Sequence, residues 1–152
     1  MVPCQCTRTL GRLTTLALNR SGQLPKQTPL IAIVDDDESV REATKSLMRS
    51  LGFAAETFPS GEDFLASPYL AHADCLVTDV NMPGMTGLDL HRRLVAAGRS
   101  IPTILITAYP NDSVRSRALN DGVISYLTKP CDEQDLLLSI RSALADAGSD
   151  ET

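Results

Sequence analysis

From residue 30 onward the chain alternates short apolar runs with amphipathic stretches, and this alternation restricts the fold more than any other property of the sequence. The runs fall at 30–34, 54–58, 75–78, 103–106 and 123–127, each of strand length. Between the first two, Val40, Thr44, Leu47, Met48 and Leu51 recur at i, i+4, i+7, i+8 and i+11, which is one face of a helix. Leu137, Ile140 and Leu144 repeat that spacing near the C-terminus. Strands alternating with helices predict βαβ units, hence a parallel sheet with helices on both faces. The punctuation agrees. Ser60 with Asp63 and Thr86 with Asp89 have the spacing of capping boxes, Asp132 can cap the last helix, and Gly52 and Gly122 stand where helices should stop. The reading is a doubly wound (βα)5 domain over about residues 29–147, followed by a short tail at 148–152.

Composition narrows the class. Hydrophobic residues make up 43% of the 152 and charged residues 22%, a globular balance. No apolar run approaches the roughly 18 residues that would span a bilayer. A net charge of −5 argues against a nucleic-acid-binding surface. The charge is unevenly placed: residues 1–28 hold Arg8, Arg12, Arg20 and Lys26 and no acid, so residues 29–152 carry a net of −9. Residues 1–28 lack a sustained period and read as a flexible basic extension, with 10–18 compatible with a brief helix. They make a poor secretory signal. Cys4 and Cys6 have no second Cys or His pair to complete a zinc site, and Cys75 opens an apolar run as a small core residue would. With Cys131, these cysteines suggest no disulfide framework, as in a cytoplasmic protein.

The chemistry lies in the polar residues at the end of each strand. The first run ends in Asp35-Asp36-Asp37, the third in Asp79, the fourth in Thr107 and the fifth in Lys129-Pro130. In a parallel sheet all of these converge on one edge, where ligand sites form at the reversal of strand order. Taken singly, each has an ordinary structural explanation. Asp37 can cap the next helix, a lone Thr ends many strands, and a lone Lys is usually solvated. Together they are less ordinary. Crowded carboxylates repel unless a cation joins them, and hard oxygen ligands suit Mg2+, with Mn2+ as a substitute. An ammonium, a hydroxyl donor and a divalent cation around one carboxylate describe a site for a phosphoryl group.

Val34-Asp-Asp-Asp-Glu-Ser-Val-Arg41, Val77-Thr-Asp-Val-Asn-Met-Pro-Gly-Met-Thr-Gly87, Ile106-Thr-Ala108 and Tyr126-Leu-Thr-Lys-Pro130 resemble the motifs of bacterial response-regulator receiver domains. The resemblance covers about residues 29–147, with the motifs in the family's order, and is nearest to receivers of the nitrogen-fixation-regulator type. It implies a flavodoxin-like five-stranded sheet of order 2-1-3-4-5. It implies that Asp79 is the phosphoacceptor, taking its phosphoryl group from a sensor histidine kinase or a phosphotransfer protein. It also implies that Asp36 binds Mg2+ directly, Asp35 mainly through water, and Asn81 through its backbone carbonyl. Thr107 and Lys129 would hold phosphoryl oxygens, Tyr126 would be the switch aromatic, and the Lys129–Pro130 bond would be cis. The output would pass through the face formed by residues 111–147 to a downstream protein, with a phosphorylation-dependent homodimer as a family habit. In this reading the chain is a phosphoacceptor rather than an enzyme, without direct contact to nucleic acid or membrane.

Some residues depart from the family or stand apart from it. Cys131 replaces the usual aromatic, Tyr109 stands two residues beyond Thr107 where the family tunes phosphoryl loss, and no effector is expected after residue 147. That leaves a single-domain regulator or a truncated DNA-binding one. Gly87 is expected to admit a close backbone approach, and Pro83-Gly84 a tight turn. His72 and His91 are expected at the surface. Met82 and Met85 are not expected to bind a soft metal. The competing readings are a haloacid-dehalogenase-like phosphohydrolase, a phosphorylation-independent adaptor and an FMN binder. Asp35-x-Asp37 fits the opening motif of the first, but Ser39 stands where it needs Thr or Val, and no cap domain is expected. An acidic crevice without a phosphate-cradling loop opposes the last.

Overall fold

Alternate residues of a strand face opposite sides of its sheet, so a strand apolar throughout must be covered on both faces. The central strands here meet that condition, while the two edge strands are only partly buried. In the computed structural model, which describes residues 28–149, the chain runs β1 (Leu30–Val34), α1 (Glu38–Ser50), β2 (Ala54–Phe58), α2 (Gly61–Leu65), a 3-10 turn (Pro68–Ala71), β3 (Cys75–Asp79), α3 (Gly87–Ala96), β4 (Thr103–Thr107), α4 (Asp112–Asn120), β5 (Ser125–Thr128) and α5 (Glu133–Ser149). The readings made on residues 1–27, including the 10–18 helix, Cys4 and Cys6, lie outside the described residues, as does the end of the chain from residue 150.

All pairings are parallel, and the order is β2-β1-β3-β4-β5, as expected. The odd-numbered Ile31, Ile33, Cys75 and Val77, with the even-numbered Ile104 and Ile106, pack against Met48 of α1 and Leu136, Ile140 and Ala143 of α5. The opposite face of β1 and β3 sends Ala32, Val34 and Leu76 against Phe64, Leu90 and Leu94. A smaller cluster of Leu88, Leu105, Ala118 and Val123 lies beneath α4. Since β1 leads outward to β2 and the chain then returns to β3 on the other side, the order reverses between β1 and β3. Their C-terminal ends flank the crevice that such a reversal opens.

The caps follow the sequence signals. Asp37 accepts from the Ser39 and Val40 amides at 2.9 and 3.3 Å, and Ser60 accepts from the Asp63 amide. Thr86 and Asp89 form a reciprocal capping box. At the far end of α4, Gly122 adopts φ +99, and the Val123 amide reaches back to the Ala118 carbonyl, a Schellman closure that favours glycine. Asp132 immediately precedes α5.

Several expectations are corrected. The third and fourth strands each run one residue further than their apolar runs, to Asp79 and Thr107, because the ladder continues through polar residues. β5 begins at Ser125, since residues 123 and 124 leave the Schellman turn of α4. In α5 the inward stripe is Leu136, Ile140 and Ala143, with Leu144 beside it and Leu137 only half-buried. The helix starts at Glu133, and its phase turns the stripe by one residue.

His91 is also corrected. It is 5% exposed rather than on the surface, because its ring fills the gap between α3 and β4 with both nitrogens hydrogen-bonded. His72 is exposed, as expected.

Cys75 is fully buried in the α1/α5 layer, and this burial, with Asp74 close by, pushes its thiol from the ordinary 9.0 up to about 12. Between those values the unfolded thiol loses its proton and the folded one keeps it. The unfolded state then binds fewer protons, so stability falls as pH rises, by at most about 1.4 kcal/mol per pH unit from this group. Urea midpoints at pH 8 and pH 10.5 should therefore fall further apart for wild type than for Cys75→Val, a substitution of similar volume.

Candidate functional site

Val34 pairs with Thr78, and Asp79 with Ile106, so the residues that follow β1 stand beside the end of β3. One carboxylate oxygen from each of Asp35, Asp36 and Asp79 comes within 4.8 Å of the other two. Asp35 and Asp79 are buried at 4% and 8% exposure, whereas Asp36 is open to solvent. Lys129, from the end of β5, places its Nζ 3.0 Å from Asp35 Oδ2 and 3.1 Å from Asp79 Oδ2. Burial alone would lower the ammonium's pKa. The hydrogen bonds and charges of Asp35 and Asp79 outweigh it and raise the pKa above 10.5, so Lys129 stays charged. The Lys129–Pro130 bond is cis, as the resemblance implies.

The backbone around these carboxylates is fixed from several directions. Asp35 Oδ1 accepts from the Asp37 amide at 2.9 Å, and the Asp35 carbonyl accepts from Arg41 Nη1 at 2.8 Å. Asp79 Oδ1 accepts from the Asn81 amide at 3.0 Å. Asp37 belongs to the cap of α1. Thr107, fully buried, accepts at its hydroxyl oxygen from the Asn81 side-chain amide and from the Tyr109 amide, each at 3.0 Å. An oxygen that accepts twice still has its own proton to donate. Tyr109 is 76% exposed at the rim. Tyr126 is half-buried, and its hydroxyl accepts from the Asn111 amide at 3.2 Å. The site opens as a cleft of about 520 Å³ lined by the three aspartates after β1 together with Asp79, Asn81, Tyr109 and Lys129.

The structure thus brings together all the expected site residues except Tyr126, which meets Asn111 one step away. Sequence reasoning missed the Arg41 bond to the Asp35 carbonyl and the Asn81 side-chain bond to Thr107. Arg41 closes the Val-Asp-Asp-Asp-Glu-Ser-Val-Arg segment, and its place one helical turn past Asp37 was the available signal.

These features define a doubly wound α/β domain with an acidic switch-point site and one lysine. The model of the response regulator receiver domain matches residues 31–141, and the chain belongs to that family. It is 42% identical over 118 residues to the response regulator protein TmoT of Ectopseudomonas mendocina, covering 78% of this chain and 54% of TmoT. A structure of the response regulator StyR matches with a TM-score of 0.76 at 40% identity, over 82% of this chain and 63% of StyR. The FixJ-N crystal structure matches at TM-score 0.71 and 31% identity, over 79% and 96%. The chain spans about half the length of the curated relatives it matches. Among the described residues, no helix is long and apolar enough to cross a membrane.

Gly87, the first residue of α3, packs so closely on the site that a Cβ there would collide with the Asp79 carbonyl oxygen and press on Leu105. A backbone carbonyl cannot rotate away as a flexible side chain can. Gly87→Ala should therefore cost about 1–3 kcal/mol in denaturant unfolding and weaken whatever binding Asp79 performs, by displacing the end of β3.

Proposed function

We propose that this receiver unit, residues 29–147, takes a phosphoryl group onto Asp79 from a phosphohistidine of a sensor kinase or phosphotransfer protein. The observation that supports this most is the Lys129 ammonium, 3.0 and 3.1 Å from Asp35 and Asp79 beside a third carboxylate. An Asp79 carboxylate oxygen attacks phosphorus. The new P–O bond forms as the P–N bond breaks, and the departing imidazole nitrogen takes the bonding pair. Lys129 follows the charge that spreads over the equatorial oxygens, and the free proton of the Thr107 hydroxyl is donated to one of them.

The cluster of Asp35, Asp36 and Asp79 outweighs the Lys129 ammonium by two negative charges, which suits a divalent cation with hard oxygen ligands. Asp35, Asp36, Asp79 and the Asn81 backbone carbonyl would hold Mg2+ or Mn2+, which when bound neutralises phosphoryl charge. Phosphorylation would then draw Thr107 from its bonds to Asn81 and Tyr109. That disturbs the segment leading to Asn111 and its contact with Tyr126, a bistable element biased by a local charge. The face formed by α4, β5 and α5 would carry the change to a protein partner.

Intact mass after incubation with acetyl phosphate and Mg2+ tests this. One phosphoryl group should be gained by wild type and none by Asp79→Asn or by wild type with chelator. A label that persists in Asp79→Asn would overturn the assignment.

The Tyr109 ring at the rim hinders the water that removes the group. Tyr109→Ala should lose its phosphoryl group several-fold faster in a chase monitored by mass. An unchanged half-life would exclude that role.

A further inference from the structure

The two ends of α4 are tied in different ways. At its N-terminal end, Asn111 caps the helix through the Val114 amide, and its own N–H reaches the Tyr126 hydroxyl at 3.2 Å, in an exposed setting. Two residues earlier the Tyr109 N–H is held at 3.0 Å by Thr107, a residue of the site. This attachment therefore shares atoms with the proposed chemistry. At the C-terminal end, the carbonyl of Asp121 meets His91 Nε2 at 3.0 Å. A carbonyl only accepts, so that nitrogen carries a proton. The other ring nitrogen lies 3.2 Å from the Thr103 hydroxyl, whose oxygen is also 3.0 Å from the Ile101 carbonyl. Arg92 Nε adds a 2.7 Å ion pair to the Asp121 carboxylate. His91 and Thr103 are buried, so the His91 bond to the exposed Asp121 is partly buried where the Asn111–Tyr126 bond is exposed.

Between its ends the helix has little to hold it. Ala118 is its one buried side chain, and Val114 packs beside it in part. Breaking the bond at the foot would orphan a ring nitrogen of the buried His91, whereas the exposed bond at the top exchanges with water at small cost. The foot of α4 is therefore the expensive end to move and its top the cheap one.

We propose that His91, supported by Arg92, is a positioning residue that fixes the C-terminal end of α4 to α3 and β4. A change at Thr107 then swings the N-terminal half of the helix about a stationary foot instead of releasing the helix as a whole. The swing rests on the functional reading above; the anchor itself does not.

Residue-resolved amide exchange on the full chain, without any phosphodonor, tests both ends. Tyr126→Phe, which removes the acceptor at the top, should speed exchange at Val114 and Arg115 and leave Asp121 and Val123 unchanged. His91→Leu should speed Asp121 and Val123 on the order of tenfold. Arg92→Ala, which leaves the core intact, should give a smaller effect of the same kind and decides the matter if His91→Leu does not fold. Unaltered exchange at Asp121 and Val123 in the folded variants, or acceleration along the whole helix in Tyr126→Phe, would overturn the proposal. A final arm adds acetyl phosphate and Mg2+ to wild type, with mass read on the same sample. Absence of label there counts against the functional reading alone. Label with equal acceleration at both ends counts against the stationary foot.

Discussion

The ammonium of Lys129, held between Asp35 and Asp79, is the interaction on which the site depends. Two buried carboxylates side by side, with a third close by, would repel strongly in a partly dehydrated crevice. A fixed cation on a different strand removes part of that repulsion and leaves a defined negative charge. The same contact joins the ends of β1, β3 and β5, so the charge balance of the cleft and the alignment of the sheet edge are one constraint. A neutral residue at 129 would leave Asp35 and Asp79 facing each other without that partner.

The sheet order makes the contact reachable. Because β1 lies inside the sheet and the order reverses between β1 and β3, three acidic residues from two strands meet without any long loop. The apolar alternation that buries Ile31 and Ile33 on one face and Ala32 and Val34 on the other leaves the polar groups to gather at the strand ends. The covered strands β1 and β3 therefore aim their polar ends at one another and at Lys129. The neighbouring loop from Thr107 to Asn111 is linked to the site by hydrogen bonds from two amides to the Thr107 hydroxyl, a short route from the site to α4.

Much of this was legible in the sequence because it depends on local rules. Asp37 caps α1, Thr86 and Asp89 cap α3, and Gly122 ends α4, each through bonds within a few residues. The strand ends that gather the site were readable once the parallel order was inferred. Cys75 was correctly placed in the core from the run it opens. What escaped depends on phase and on long-range partners. The inward stripe of α5 is displaced by one residue because the start of the helix fixes its rotation. His91 is polar on a helix, yet it is buried because the Thr103 hydroxyl and the Asp121 carbonyl, 12 and 30 residues away, satisfy both nitrogens. The Arg41 bond to the Asp35 carbonyl likewise needs the actual direction of α1 as it leaves the sheet.

The central claim is that three carboxylates and one lysine form a divalent-cation and phosphoryl site. Its most direct test is the thermal midpoint of the chain against Mg2+ concentration, for wild type and Asp36→Asn. A ligand that binds only the folded state stabilises by about 2.7 kcal/mol at a hundred times its dissociation constant, so the wild-type midpoint should climb and keep climbing with the logarithm of Mg2+. The rise should be much smaller in Asp36→Asn, which keeps the Lys129 contacts but removes the exposed carboxylate. A midpoint insensitive to Mg2+, or an equal rise in the variant, would contradict the account.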